Sequence, residues 1–227
     1  MVTKRLRAVL ARRLIGSALL VIGSSTWAQT LSVQLRDADG NAVADAVVEV
    51  ILPDELRARF ATPRATEVDQ VDKEFVPEVS IVVAGSEVGF PNSDDILHHV
   101  YSFSPINTFD IPLYASDTQS EYHQAFPESG VVEIGCNIHD WMLAHIYVAD
   151  SSRAAVSDTD GVAQITELPD GRYPLRVWHA RLPRGTDYVM TEATITAGNL
   201  TEVAVSLELE RDRRIRRAPS ANRQRYR

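Results

Sequence analysis

The sequence predicts an all-β protein. Short runs rich in valine, isoleucine and alternating polar residues recur along the chain. Turn signals such as "DADGN" and "LPDG" separate them. A single stretch, "DELRARFA" from Asp54 to Ala61, reads as a short helix. Many short strands punctuated by turns form antiparallel sandwiches or barrels.

Taken in order, "LSVQLRDADGNAVADAVVEVIL" is an extended run, a turn at Asp37 to Asn41 and a second apolar run from Val47 to Leu52. After the helix, "IVVAGSEVGF" holds two extended runs around Ala84 and Gly85. "HHVYSF", "GVVEIGC" and "LAHIYV" are three more. "GVAQITEL", "GRYPLRVWH", "VMTEATITAG" and "LTEVAVSLELE" supply four near the C-terminus. The region from Ser104 to Gln124 is expected to be poor in strands, and a loop of that size is usually functional or packs on itself.

The first residues read as an export signal. Lys4, Arg5, Arg7, Arg12 and Arg13 form a basic head, and the apolar run from Leu14 to Gly23 is too short to span a bilayer. Small residues follow as far as Ala28. This is the pattern of a secretory signal peptide over residues 1–28, with the mature chain starting at Gln29 in the periplasm. No other apolar run is long enough to cross a membrane.

Charge divides the rest. The chain has 23 basic and 31 acidic residues, and five of the basic ones lie in the signal, so the mature chain carries about −13. Residues 211–227 hold eight arginines and one aspartate. The body, residues 29–210, keeps 10 basic against 30 acidic residues, a balance of −20. An acidic body argues against nucleic-acid binding and favours steering toward a basic partner. The arginine tail has no hydrophobic period and reads as disordered and solvated, open to weak contact with an anionic membrane or an acidic partner.

The chemistry concentrates in "CNIHDWM", Cys136 to Met142. It contains the single cysteine of the chain, a histidine three places on and a methionine three places after that. An unpaired cysteine in an oxidising compartment implies an intermolecular bridge, an exposed thiol or a metal ligand. On a strand, Val132, Ile134 and Cys136 share one face, so the thiol enters from the apolar side. Met142, Ala144, Ile146 and Val148 share a face, which points His145 the other way. A fourth donor comes from "FPNSDDILHHVYSF". His98 and His99 face opposite sides of a strand, so at most one meets Cys136. Two histidines, a thiolate and a weak axial methionine are the donor set of a blue-copper centre, whereas zinc prefers four strong ligands. His99, His123, His145 and His179 are expected to bind no metal.

These residues carry a resemblance. "FVPEVSIVVAGSEVGFPNSDDILHHVYSF" followed by "GVVEIGCNIHDWM" resembles a cupredoxin: an apolar strand, an "AG" turn, V-x-F-x-N, a His-x-Val strand and a Cys–His–Met loop. The resemblance implies His98, Cys136, His139 and Met142 as ligands of one type 1 copper ion. The short C-x2-H-x2-M spacing resembles that of amicyanin, and some relatives are named for methylamine utilization. His99 departs from the asparagine that often follows the first ligand. Trp141 and Asp140 are expected beside His139, shielding the metal or shaping a docking patch.

The flanks carry a second resemblance. "VQLRDADGNAVADAVVEV" and "VSDTDGVAQITELPDGRYPLRVWHARL" resemble the two parts of a carboxypeptidase regulatory-like, transthyretin-like sandwich. The expected architecture is therefore a Greek-key cupredoxin sandwich, residues 62–150, set between the strands of a smaller sandwich, residues 29–61 and 151–210. The implied function is one-electron transfer with a redox partner protein, a dehydrogenase or a cytochrome, and not enzymatic turnover. The alternative is copper binding or delivery without redox cycling.

Overall fold

The structure, a computed structural model, describes residues 29–116 and 122–212. The expected signal peptide, and the tail from residue 213 onward, lie outside the described residues. Among the described residues no helix is long and apolar enough to cross a membrane.

Among the described residues the regular structure is β apart from one short helix, as the turn-punctuated pattern predicts. It opens with strands β1 (Thr30–Asp37) and β2 (Val47–Val50) and the helix α1 (Asp54–Phe60). Short strands follow: β3 (Thr66–Glu67), β4 (Asp69–Val71), β5 (Glu74–Val76), β6 (Val79–Val83) and β7 (Ser86–Gly89). The middle of the chain forms β8 (His98–Ser104), β9 (Asn107–Tyr114), β10 (His123–Phe126), β11 (Gly130–Cys136) and β12 (His139–Ala149). The last stretch adds β13 (Ala154–Val156), β14 (Val162–Thr166), β15 (Gly171–Trp178), β16 (Val189–Ile195) and β17 (Leu200–Leu207).

One core gathers the two ends of the chain. A sheet in the order β14-β1-β17 and a sheet in the order β13-β2-β15-β16 enclose Leu31, Val33, Leu35, Val48, Val50, Leu175 and Val177. Alternation explains the choice: in β1 every second residue turns inward. The pairing is mixed, because β1 runs antiparallel to β14 but parallel to β17. The turn before β14 needs its glycine. Gly161 sits at φ +76, and a Cβ there would lie 2.4 Å from the Leu35 carbonyl oxygen.

A second core lies between the five-stranded sheet β6-β12-β11-β8-β9 and the sheet β10-β7-β3. Phe90, Phe126, Val100, Val132, Ile134 and Ile146 fill it, with Cys136 and Met142 at one end. The strand β9 corrects the expectation of a strand-poor stretch from Ser104 to Gln124. It pairs with β8 through a tight turn at Pro105 and Ile106. Pro105, Asp110 and Pro112 break the sequence pattern of a strand. The sheet tolerates Pro112 because β9 is an edge, where a missing N–H costs no ladder bond, and Pro105 lies in the turn before it. The register slips between His98 and Val100, where the two-residue step to Val100 is matched by the three-residue step from Tyr114 to Ile111, so Pro112 and Leu113 form a bulge.

The two cores meet along β2 and β12. Val48 and Val50 face the first core, so Val47 and Glu49 face the second sandwich. Val47 packs with Val79, Tyr147, Ala149 and Trp178. Glu49 is fully buried there. Its carboxylate accepts from the Tyr147 hydroxyl at 2.7 Å, from the Asp150 backbone N–H at 2.7 Å and from Arg176 at 3.3 Å. Burial pushes its carboxyl above the usual range, against the lowering effect of these partners. The segment containing the second core leaves and returns at one place, where Ser152 N–H donates to the Phe60 carbonyl at 2.8 Å.

Candidate metal centre

Three strand ends converge at one end of the second core. His98 is the first residue of β8, Cys136 the last of β11 and His139 the first of β12. Cys136 and His139 are register partners across the turn Asn137–Ile138. The next partners along are Gly135 and Leu143, so Asp140, Trp141 and Met142 have no counterpart on β11. This bulge returns the chain to its alternation with Met142 pointing inward. Met142 and Cys136 are both buried in the same apolar cluster.

The donor atoms lie close together. The Cys136 Sγ is 3.6 Å from His139 Nδ1 and 3.9 Å from His98 Nδ1. All three donors lie within 4.8 Å of one another, the one such group of His, Cys, Asp and Glu among the described residues. The spacing fits a common metal ion. Bonds of about 2.3 Å to sulfur and about 2.0 Å to nitrogen, spread at a trigonal angle, put the two donors about 3.7 Å apart. The histidine rings are 5.0 Å apart, centroid to centroid, and tilted by 55°. His98 and Cys136 are buried, while His139 is partly open to solvent. Ile138 and Leu97, which precede His139 and His98 in sequence, are half-exposed.

The segment before β8 is held by Asn92. Its amide donates to the carbonyls of Ile96 at 2.9 Å and Tyr114 at 3.0 Å, and its oxygen accepts from Asp94 N–H at 3.0 Å. Behind it, the Tyr114 hydroxyl donates to the Phe90 carbonyl at 2.6 Å and receives the Gln70 amide. Burial pushes the Tyr114 phenol well up, so it stays a donor.

Asp94 is a residue that the spacing of donors does not reveal. Its Oδ2 lies 2.7 Å from His98 Nε2. It also accepts the backbone N–H groups of Asp72 at 2.7 Å and Lys73 at 2.8 Å. Burial alone would raise its carboxyl, but the bonds from His98 and from these two N–H groups prevail and hold it below the usual carboxylate range. A signal existed in the sequence, since Asp94 stands four residues before His98.

The remaining histidines fall elsewhere. His99 faces away from the centre and pairs with Asp110 at 2.6 Å. His123 lies on β10 opposite Gly89. His145 packs against Trp178 and stands 3.5 Å from Glu133, on the face opposite Met142. His179 is buried just beyond β15. Trp141 is partly buried beside His139, at 5.3 Å between centroids, and its indole N–H donates to the Lys73 carbonyl at 3.0 Å.

No protein-family model matches the chain, and no curated protein does. Solved structures similar to it include a purple cupredoxin from Nitrosopumilus maritimus, at 19% identity over 37% of this chain and 98% of that one, with a TM-score of 0.33. Amicyanin from Paracoccus versutus matches at 19% identity over 44% of this chain and 96% of its own, with a TM-score of 0.33. A copper-containing nitrite reductase from Thermus scotoductus matches at 24% identity over 44% of this chain, but only 27% of the reductase is covered, with a TM-score of 0.35.

Proposed function

We propose that this protein is a periplasmic type 1 copper protein that carries single electrons between partner proteins. The observation that carries the reading is the Cys136 thiol set 3.6 Å and 3.9 Å from two histidine Nδ1 atoms at the end of an apolar core. A thiolate with two imidazoles suits copper over magnesium, calcium or manganese, and Met142, buried in the same cluster, would add a weak thioether donor of a kind that zinc sites do not use. Copper held there would alternate between Cu(II) and Cu(I).

The chain's own residues do the rest. His98, Cys136 and His139 each sit at the end of a strand in one sheet, so the donors are positioned before metal arrives. A set of ligands that suits both oxidation states limits rearrangement on transfer. His139, the partly open ligand, offers the route for the electron between the centre and a partner. The acidic body steers a basic redox partner, a dehydrogenase or a cytochrome, toward encounter. We read the protein as a carrier and not an enzyme, because this donor set exchanges an electron and transforms no substrate. Storage or delivery of copper is less well supported, since His99 is engaged by Asp110 and directed away from the cluster.

The test is the visible spectrum of the purified protein after addition of Cu(II). An intense thiolate-to-copper band at about 600 nm, absent from Cys136→Ala, is expected for such a donor set. A colourless protein that binds copper would replace electron transfer with delivery. Failure to bind copper would overturn the site.

A further inference from the structure

We infer that Asp94 and the Asp72–Lys73 turn form an outer frame that orients both histidine ligands and that the Asp94 charge lowers the reduction potential of the centre. The inference rests on the copper reading above and adds residues to it.

The geometry is specific. A carboxylate can only accept a hydrogen bond, so His98 Nε2 carries a proton toward Asp94 Oδ2 at 2.7 Å. That leaves the Nδ1 lone pair on the side of Cys136 Sγ. The Asp94 carboxylate is in turn fixed by the N–H groups of Asp72 and Lys73, which join β4 to β5. Both turn residues are left-handed, at φ 55 and φ 63. Such a two-residue turn usually takes glycine at its second position, and here lysine occupies it. The same turn reaches the second histidine. The Lys73 carbonyl accepts from the Trp141 indole N–H at 3.0 Å, and that ring lies 5.3 Å from His139. One hairpin thus ties together the β8 ligand and the ligand loop at the start of β12, which are remote in sequence.

An acceptor of full negative charge makes His98 a stronger donor to Cu(II) than a neutral partner would. Partners of this kind typically alter metal affinity by about 10- to 100-fold when removed. The charge favours the divalent state, so its loss raises the potential. A tenfold loss of Cu(II) affinity relative to Cu(I) corresponds to about 59 mV for one electron.

Two variants separate orientation from charge. Asp94→Asn retains an oxygen that accepts from His98 Nε2 and Lys73 but loses the charge. Asp94→Ala removes both. In metal-free protein, nitrogen NMR of His98 is expected to show the Nε2-protonated tautomer in wild type and Asp94→Asn, and a mixture in Asp94→Ala. In copper-loaded protein, both variants are expected to keep a visible band and to have a raised potential, with Cu(II) binding at least tenfold weaker relative to Cu(I). If Asp94→Ala fails to fold, Asp94→Asn decides. A wild-type potential in Asp94→Asn, or an unchanged His98 tautomer in Asp94→Ala, would overturn the inference while leaving a blue wild-type protein intact. A wild-type protein with no blue band would overturn the copper reading itself.

Discussion

Replacing Tyr147 by phenylalanine removes one hydroxyl from the junction between the two cores and leaves the ring in place. In the wild type that hydroxyl donates to the fully buried Glu49 at 2.7 Å. The variant leaves the carboxylate with the Asp150 N–H and a longer contact to Arg176. A hydrogen bond to a charged group contributes about 1.5–3 kcal/mol. For a chain of this size about 2 kcal/mol moves the melting temperature by about 4–8 °C. Thermal unfolding of wild type, Tyr147→Phe, Glu49→Gln and the double variant measures it. The two substitutions are expected to couple by about 1 kcal/mol or more, because they share one bond. The pH dependence has a definite sign. Burial raises the folded-state pKa of Glu49 above its ordinary 4.5. The associated stability is therefore full below the unfolded value and lost as pH rises through the folded value. Glu49→Gln does not titrate, so it should gain on wild type as pH climbs above 4.5. Strict additivity of the two substitutions, or a Glu49→Gln curve parallel to wild type at every pH, would refute the account of the junction.

Gly161→Ala is expected to cost more than the roughly 1 kcal/mol of a left-handed backbone alone, because the new methyl meets the Leu35 carbonyl; urea unfolding would read it. Ser157→Ala should cost about 2 kcal/mol on the same measurement, since its hydroxyl both accepts from Ala46 N–H and donates to the Val43 carbonyl in a buried position. Copper at about 100 times its dissociation constant should stabilise the protein by about 2.7 kcal/mol. Differential scanning calorimetry should show that shift in wild type and its loss in Cys136→Ala.

The clustering of His98, Cys136 and His139 was legible because their chemistry is rare and their spacing short. A thiol, an imidazole and a thioether within seven residues stand out, and strand alternation turned Cys136 and Met142 into the second core and His145 to the opposite face, where it is buried against Trp178. The choice between His98 and His99 needed the resemblance, since the two face opposite sides and nothing local ranks them. The edge strand β9 was hidden by Pro112 and Asp110 within it and by Pro105 in the turn before it. Glu49 was hidden by the strand rule itself. In "VVEV" a glutamate reads as the solvent side, yet this strand is covered on both faces. Asp94 was only half legible: its spacing from His98 could be read, but the turn that fixes it lies twenty-two residues earlier in the chain.

The hydrogen bond between Phe60 and Ser152 has a consequence for how such a protein is assembled over evolutionary time. Everything between those residues is one excursion whose ends touch. Closing a loop grows more costly only with the logarithm of its length, about 0.6 kcal/mol per doubling, so a sixteenfold longer loop costs about 2.4 kcal/mol. A sheet can therefore carry a whole folded segment where a short turn would also close it. Its own strands need not change register. Any exchange of the segment between Phe60 and Ser152 would have to keep the Tyr147–Glu49 bond and the apolar seam around Val47.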